Sequence, residues 1–162
     1  VIASDDAVIG TPYSRMWGAY LSGMWLYRMS FAKAKWHSLT GEPLTGREAA
    51  DVELINESVP FDRLEARVAE VAAMLCRIPL SQLQAQKLVV NQAYENMGLA
   101  STQTLGAILD GLMRNTPDAQ QFIETAATEG VRAAIEHRDG PWGDYSQAPP
   151  ERRPDPSHVI EP

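Results

Sequence analysis

The residue types that do metal, nucleophilic or acid–base chemistry are sparse in this chain, and their spacing supports little of it. His37, His137 and His158 stand at no metal-ligand spacing with cysteine or acidic partners, so no metal site is expected. Cys76 is the only cysteine and lies in an apolar helical pattern, which reads as a buried, inert thiol rather than a nucleophile. Asp110, Glu124 and Glu129 could be paired by eye as acids. Each sits among polar neighbours on a helix, and a solvated surface is the expectation. The aromatic and methionine-rich stretch from Met16 to Met29 reads as helical core or pocket wall rather than a cofactor site.

Bulk properties exclude whole classes. The 162 residues allow one domain or part of a larger one, and 44% hydrophobic content is that of a globular chain. With 21 acidic against 14 basic side chains the net charge is -7, which disfavours a nucleic-acid partner. No apolar run approaches the roughly 20 residues that span a bilayer, so no membrane partner is expected. A lone cysteine cannot form an intrachain disulfide, and a reducing, cytoplasmic setting is the expectation. The opening Val1-Ile2-Ala3, strand-like and without an initiator methionine, reads as a chain cut from something longer.

The elements that must position any site are short strands followed by helices. Val1–Ala3 and Ala7–Ile9 read as strands around the polar turn Ser4-Asp5-Asp6, and Pro12 ends extended pairing. Met16 to His37 reads as helix in pieces, broken at Gly23. Thr45-Gly46-Arg47-Glu48 has capping-box spacing and starts a short helix to about Asp51, after which Leu54 to Val59 is strand-like up to Pro60. Asp62-Arg63-Leu64-Glu65 repeats the capping logic for a helix whose stripe is Leu64, Val68, Val71 and Leu75, stopped by Pro79. A helix from Leu80 to Met97 ends at Gly98 in a left-handed cap. Ser101 is placed to cap the next, with Leu105, Ile108, Leu109 and Leu112 facing the core. Thr116-Pro117 starts another along Phe122, Ile123 and Ala126, broken at Gly130 before Val131 to Arg138. A proline-crowded tail follows Asp139.

Several blocks in this order resemble the crotonase (enoyl-CoA hydratase/isomerase) family, specifically its C-terminal half. They are Val1 to Pro12; Leu39-Thr40-Gly41 with Glu48-Ala49-Ala50, Leu54-Ile55-Asn56 and Val59-Pro60; Lys87 with Asn91; and Glu129-Gly130 with Ala133 to Arg138. The resemblance implies an α/β chain: part of a ββα spiral carrying the short strands, then a helical trimerisation region. It divides the chain into an acyl-pocket edge at 1–60, an oligomerisation region at 61–138 and a proline-rich tail at 139–162. It further implies an acyl-CoA substrate, with coenzyme A as part of that substrate and no separate cofactor, and a homotrimer or dimer of trimers.

In such enzymes two backbone N–H groups hold the thioester oxygen and stabilise the enolate that develops beside it. The resemblance places both donors, and one of two acid–base glutamates, upstream of Val1. The second glutamate belongs after Pro12, where this chain has Tyr13. A phenol with a reference pKa of about 10 is a poor general base at neutral pH, yet it can donate a hydrogen bond to an acyl group. A packed aromatic at a strand end is the other reading. Pro12, Trp17 and Gly18 fall where the family lines its pocket, although its glycine-rich turn is reduced here to Gly18 and Gly23 among bulky groups. Glu53 replaces a family glycine. His137 and Arg138 stand where the family meets the CoA of a neighbouring subunit, and a solvated helix end is the alternative.

The expected activity is therefore that of a CoA-thioester lyase or isomerase in fatty-acid-type metabolism, with this chain alone inactive. A non-catalytic homologue serving oligomerisation or partner binding is the competing expectation. A free-standing helical interaction module is a third.

Overall fold

In the computed structural model, which describes residues 1–10 and 23–142, strands are confined to the first part and helices fill the rest. The order is β1 (Ile2–Ser4), β2 (Val8–Ile9), a 3-10 turn (Met24–Tyr27), α1 (Phe31–Thr40), β3 (Leu44–Thr45), α2 (Gly46–Asp51) and β4 (Glu57–Val59). A second 3-10 turn (Phe61–Arg63) leads into α3 (Leu64–Leu75), α4 (Leu80–Asn96), α5 (Leu99–Met113), α6 (Pro117–Thr128) and α7 (Val131–Asp139), closed by a turn at Gly140–Trp142.

The two strands around Ser4-Asp5-Asp6 do not pair with each other. β1 runs parallel to β4, with Ala3 opposite Ser58, and β2 runs antiparallel to β3, with Ile9 opposite Leu44. The polar turn closes no hairpin and is used otherwise: the Arg47 amide donates to the Asp5 carbonyl at 3.2 Å, so the turn docks on the first turn of α2. Strand pairs this short are not stable alone. Here they close around a small core of Met29, Ala34, Leu44, Ala49, Leu54 and Ile55.

The capping box at Thr45 forms as its spacing predicts. The Glu48 amide donates to the Thr45 hydroxyl at 3.2 Å, and the Thr45 amide donates to the Glu48 carboxylate at 2.8 Å. Thr116 caps α6 with Pro117 in its first turn, also as read from the sequence. Two other caps differ. No side chain caps α3, whose start is instead wound into the 3-10 turn at Phe61–Arg63. Helix α5 begins at Leu99 behind a left-handed Gly98 (φ 90°), and Ser101 lies inside it, donating to the Gly98 carbonyl at 2.9 Å.

Three burial expectations are corrected. Cys76 is exposed, because α3 ends at Leu75 and leaves it just past the last turn with nothing packed over it. Asp110 is buried (7% exposed), where Arg114 one turn on donates to its carboxylate at 3.1 Å. The stripe Leu105, Ile108, Leu109 and Leu112 does not face a core: these residues are 58, 57, 40 and 58% exposed. Helix α5 instead buries Gly106 and Asp110 and half-buries Thr102. Its apolar side is the uncovered one.

Glu53 adopts φ 65°, the one non-glycine residue with positive φ among the described residues. A side chain in this left-handed region costs roughly 1–2 kcal/mol, partly offset by the entropy glycine loses on folding. Glu53→Gly is therefore expected to stabilise the protein by roughly 0.5–1 kcal/mol. A urea midpoint unchanged or lowered in this variant would contradict the strain.

Candidate functional site

The described residues that flank 11–22, the segment on which the sequence places its acyl-pocket residues, are packed in place on either side. At one end, Gly10 follows β2 and lies against Pro43 beside β3, so closely that a Cβ there would come within 2.9 Å of the Pro43 Cβ. At the other end the Met24–Tyr27 turn is fixed to the helical part. The Tyr27 hydroxyl and the Thr102 hydroxyl are hydrogen-bonded at 2.9 Å, and the Tyr27 ring stands edge-on to Tyr94 with centroids 6.0 Å apart. Gly23 is in contact range of Thr102, where any larger residue would overlap its methyl group. Pro12, Tyr13, Trp17 and Gly18 themselves lie outside the described residues.

His137 and Arg138 end α7, whose main packing partners are α6 and the closing turn. His137 is exposed. Arg138 is already committed: its Nε and Nη2 donate to the two carboxylate oxygens of Asp139, both at 2.8 Å, and its guanidinium lies 5.7 Å from the centre of the Phe122 ring. A phosphate reaching Arg138 would compete with that carboxylate. Both residues lie in the last turn of α7, and among the described residues neither has a hydrogen bond or ion pair to a strand.

An open pocket of about 460 Å³ lies between α1 and α2, lined by residues that include Lys33, Trp36, His37, Glu42, Glu48 and Asp51. His37 is buried, tilted against Trp25 with ring centroids 6.0 Å apart. Its Nδ1 lies 2.7 Å from the Glu42 carbonyl. A carbonyl only accepts, so Nδ1 carries the hydrogen and Nε2 keeps a lone pair when the ring is neutral. The Trp36 indole N–H donates to the Glu42 carboxylate at 2.7 Å. Sequence spacing treated His37 only as an unsupported metal ligand. The available signal was its helical offset from Lys33 and Trp36, which puts all three on one face of α1. Among the described residues there is no cluster of three metal-ligating side chains.

Charge fixes the strand region to its neighbours. The Arg67 Nε donates to the Glu57 carboxylate at 2.8 Å, tying α3 to β4, and the Arg67 Nη1 donates to Glu70 at 3.0 Å. The hydrogen bond from Arg67 holds the Glu57 carboxyl below the usual carboxylate range. Hydrogen bonds from Arg47 and then Ser58 do the same for Asp5. A carboxyl whose folded pKa is depressed contributes stability above its unfolded pKa and loses it as pH falls through the folded value. The advantage of wild type over Arg67→Gln is expected to be full at pH 7 and to shrink below about pH 5. Urea midpoints across that range check it; a constant gap would mean the ion pair carries no pH-dependent stability. Both side chains are about one-third exposed (34% and 35%), so screening keeps the effect small.

Comparison with known proteins identifies the family. Residues 1–146 match the family model described as enoyl-CoA hydratase/isomerase. An enoyl-CoA hydratase from Mycobacterium smegmatis is 36% identical with a TM-score of 0.84, over 91% of this chain and 52% of that one. An enoyl-CoA hydratase/isomerase from Xanthobacter autotrophicus Py2 is 26% identical with a TM-score of 0.75, over 88% of this chain and 54% of that one. None of the curated proteins compared with the chain matches it. The chain spans about half the length of the solved structures it matches. Among the described residues no helix is long and apolar enough to cross a membrane. Mostly helical, with a few short strands that match part of the enoyl-CoA hydratase fold, the chain belongs to the enoyl-CoA hydratase/isomerase, or crotonase, family.

Proposed function

We propose that this chain forms part of an acyl-CoA lyase or isomerase that works through an oxyanion-stabilised thioester enolate. The observation that carries the reading is 36% identity over 91% of the chain to an enoyl-CoA hydratase. In this reading the chain supplies one edge of the acyl pocket, and the two N–H donors to the thioester oxygen come from the part of the fold that the chain does not span. Coenzyme A arrives as part of the substrate, and no further cofactor is needed.

Tyr13 then stands where a hydratase places a carboxylate. Paired carboxylates activate water and return its proton. A phenol does neither well at neutral pH, but it can donate a hydrogen bond that positions the acyl group. Pro12, Trp17 and Gly18 shape the wall beside it. His137 and Arg138 meet CoA across a subunit boundary, at the cost of loosening the Arg138–Asp139 pair. The helical half serves self-association into a trimer or dimer of trimers, supported by the uncovered apolar side of α5.

The deciding experiment is acyl-CoA binding and turnover by the full-length protein across acyl chain lengths. Neither binding nor turnover at any length would sink the proposal. Tyr13→Phe is expected to lower turnover about tenfold if its hydroxyl bonds the reacting acyl group. A second reading, a non-catalytic homologue, is favoured by the same tyrosine replacing a carboxylate. It requires assembly without turnover and indifference to Tyr13→Phe.

A further inference from the structure

The acyl-CoA reading makes no use of the pocket between α1 and α2, yet its lining has a consistent chemistry. His37 is 5% exposed and its Nδ1–H is committed to the Glu42 carbonyl at 2.7 Å. Nε2 is the remaining polar atom of the ring, and it has no hydrogen-bond partner among the described residues. A buried acceptor without a donor is unfavourable, so a ligand that brings an N–H to it removes a penalty.

Three carboxylates face one lysine around that imidazole: Glu42, Glu48 and Asp51 against Lys33. Glu42 and Glu48 are already hydrogen-bonded, to the Trp36 indole at 2.7 Å and to the Thr45 amide at 2.8 Å, and they contribute charge. Asp51 is exposed, with no ion pair among the described residues. The charge balance and the acceptor nitrogen both select a cationic donor over an anion. Trp36 is 57% exposed and offers an aromatic surface beside them.

We propose that this pocket binds a guanidinium group, which donates an N–H to His37 Nε2, faces Asp51 with its charge and lies against Trp36. A guanidinium suits these groups better than an ammonium. It is planar, weakly hydrated, rich in donors and stacks on indole. The group can come from a small molecule or from an arginine of a second copy of this chain.

The test is imidazole-nitrogen NMR of the full-length protein titrated with argininamide, methylammonium or acetate, with sedimentation in parallel. Argininamide is expected to shift the His37 Nε2 signal saturably, methylammonium less and acetate not at all. Asp51→Asn, an isosteric change at an exposed position, should weaken argininamide binding roughly fivefold. An unchanged sedimenting mass identifies a small-molecule source. A mass that falls as argininamide is added, and that Asp51→Asn also lowers, identifies the arginine of a second copy. A larger shift with acetate, or no argininamide effect on either signal or mass, overturns the proposal. None of these readouts depends on acyl-CoA turnover.

Discussion

Gly46→Ala is expected to destabilise the protein by roughly 2 kcal/mol, although alanine is the better helix former. Gly46 is the first residue of α2 and is buried against the end of β1. A Cβ there would overlap the Ser4 carbonyl oxygen and lie 2.9 Å from its carbon. Both are backbone atoms, so neither can rotate away as a flexible side chain would. Relief requires β1 to move, and β1 is held by its parallel register with β4 and by the Asp5 amide donating to Val59 at 2.8 Å. The gain in helix propensity is at most about 1 kcal/mol, and less at a first-turn position. Overpacking against a fixed strand costs roughly 1–3 kcal/mol, occasionally more, so the loss wins. Urea unfolding of parent and variant side by side checks it. A midpoint equal to or above the parent's would show that β1 yields more easily than its hydrogen bonds suggest. Glu53→Gly, a few residues on, has the opposite sign: position 46 needs a glycine and has it, while position 53 needs one and lacks it.

Local chemistry in the sequence was readable wherever the partners are close along the chain. The Thr45 capping box, the Thr116-Pro117 start and the left-handed Gly98 each involve residues within one turn, and each is found as its spacing implies. The family, too, was legible, because ordered short blocks from Val1 to Arg138 carry it without any long-range geometry. What the sequence could not show is who covers whom. Strand pairing of β1 with β4 joins residues more than fifty positions apart, and the Tyr27–Thr102 hydrogen bond spans 75. Neither has a local signature. Periodicity reveals that a helix has an apolar stripe but not what lies opposite it. On that ground alone the stripe from Leu105 to Leu112 reads as core-facing and Cys76 as buried, and both are exposed. At the candidate site the limit is different: Tyr13 stands out by its place in a motif, while His37, a buried ring lining the described pocket, carries no motif at all.

The self-association proposed for the helical half makes Ile108→Glu the second large effect. In the single chain α5 exposes Leu105, Ile108, Leu109 and Leu112, which lie at helical spacings of three and four and form one stripe. The chain also buries no large side chain completely among the described residues, so little of its apolar surface is spent on its own core. Ile108 is 57% exposed, and a glutamate there should leave the isolated fold nearly intact. In an interface the same carboxylate loses its water beside apolar groups, where a central position is worth about 2 kcal/mol or more. Association is then expected to weaken by a factor of roughly thirty or more, since 1.4 kcal/mol is a tenfold change. Sedimentation of the full-length protein should show the assembly giving way to smaller species at concentrations where wild type stays assembled. Gln121→Glu, on the exposed surface of α6, adds the same charge outside the stripe and should leave the mass unchanged. If Ile108→Glu sediments like wild type, the stripe on α5 is not what joins the subunits. If both variants dissociate alike, added charge rather than loss of an apolar contact is responsible. Circular dichroism of the variant separates either outcome from unfolding, because dissociation at this face leaves helix content unchanged.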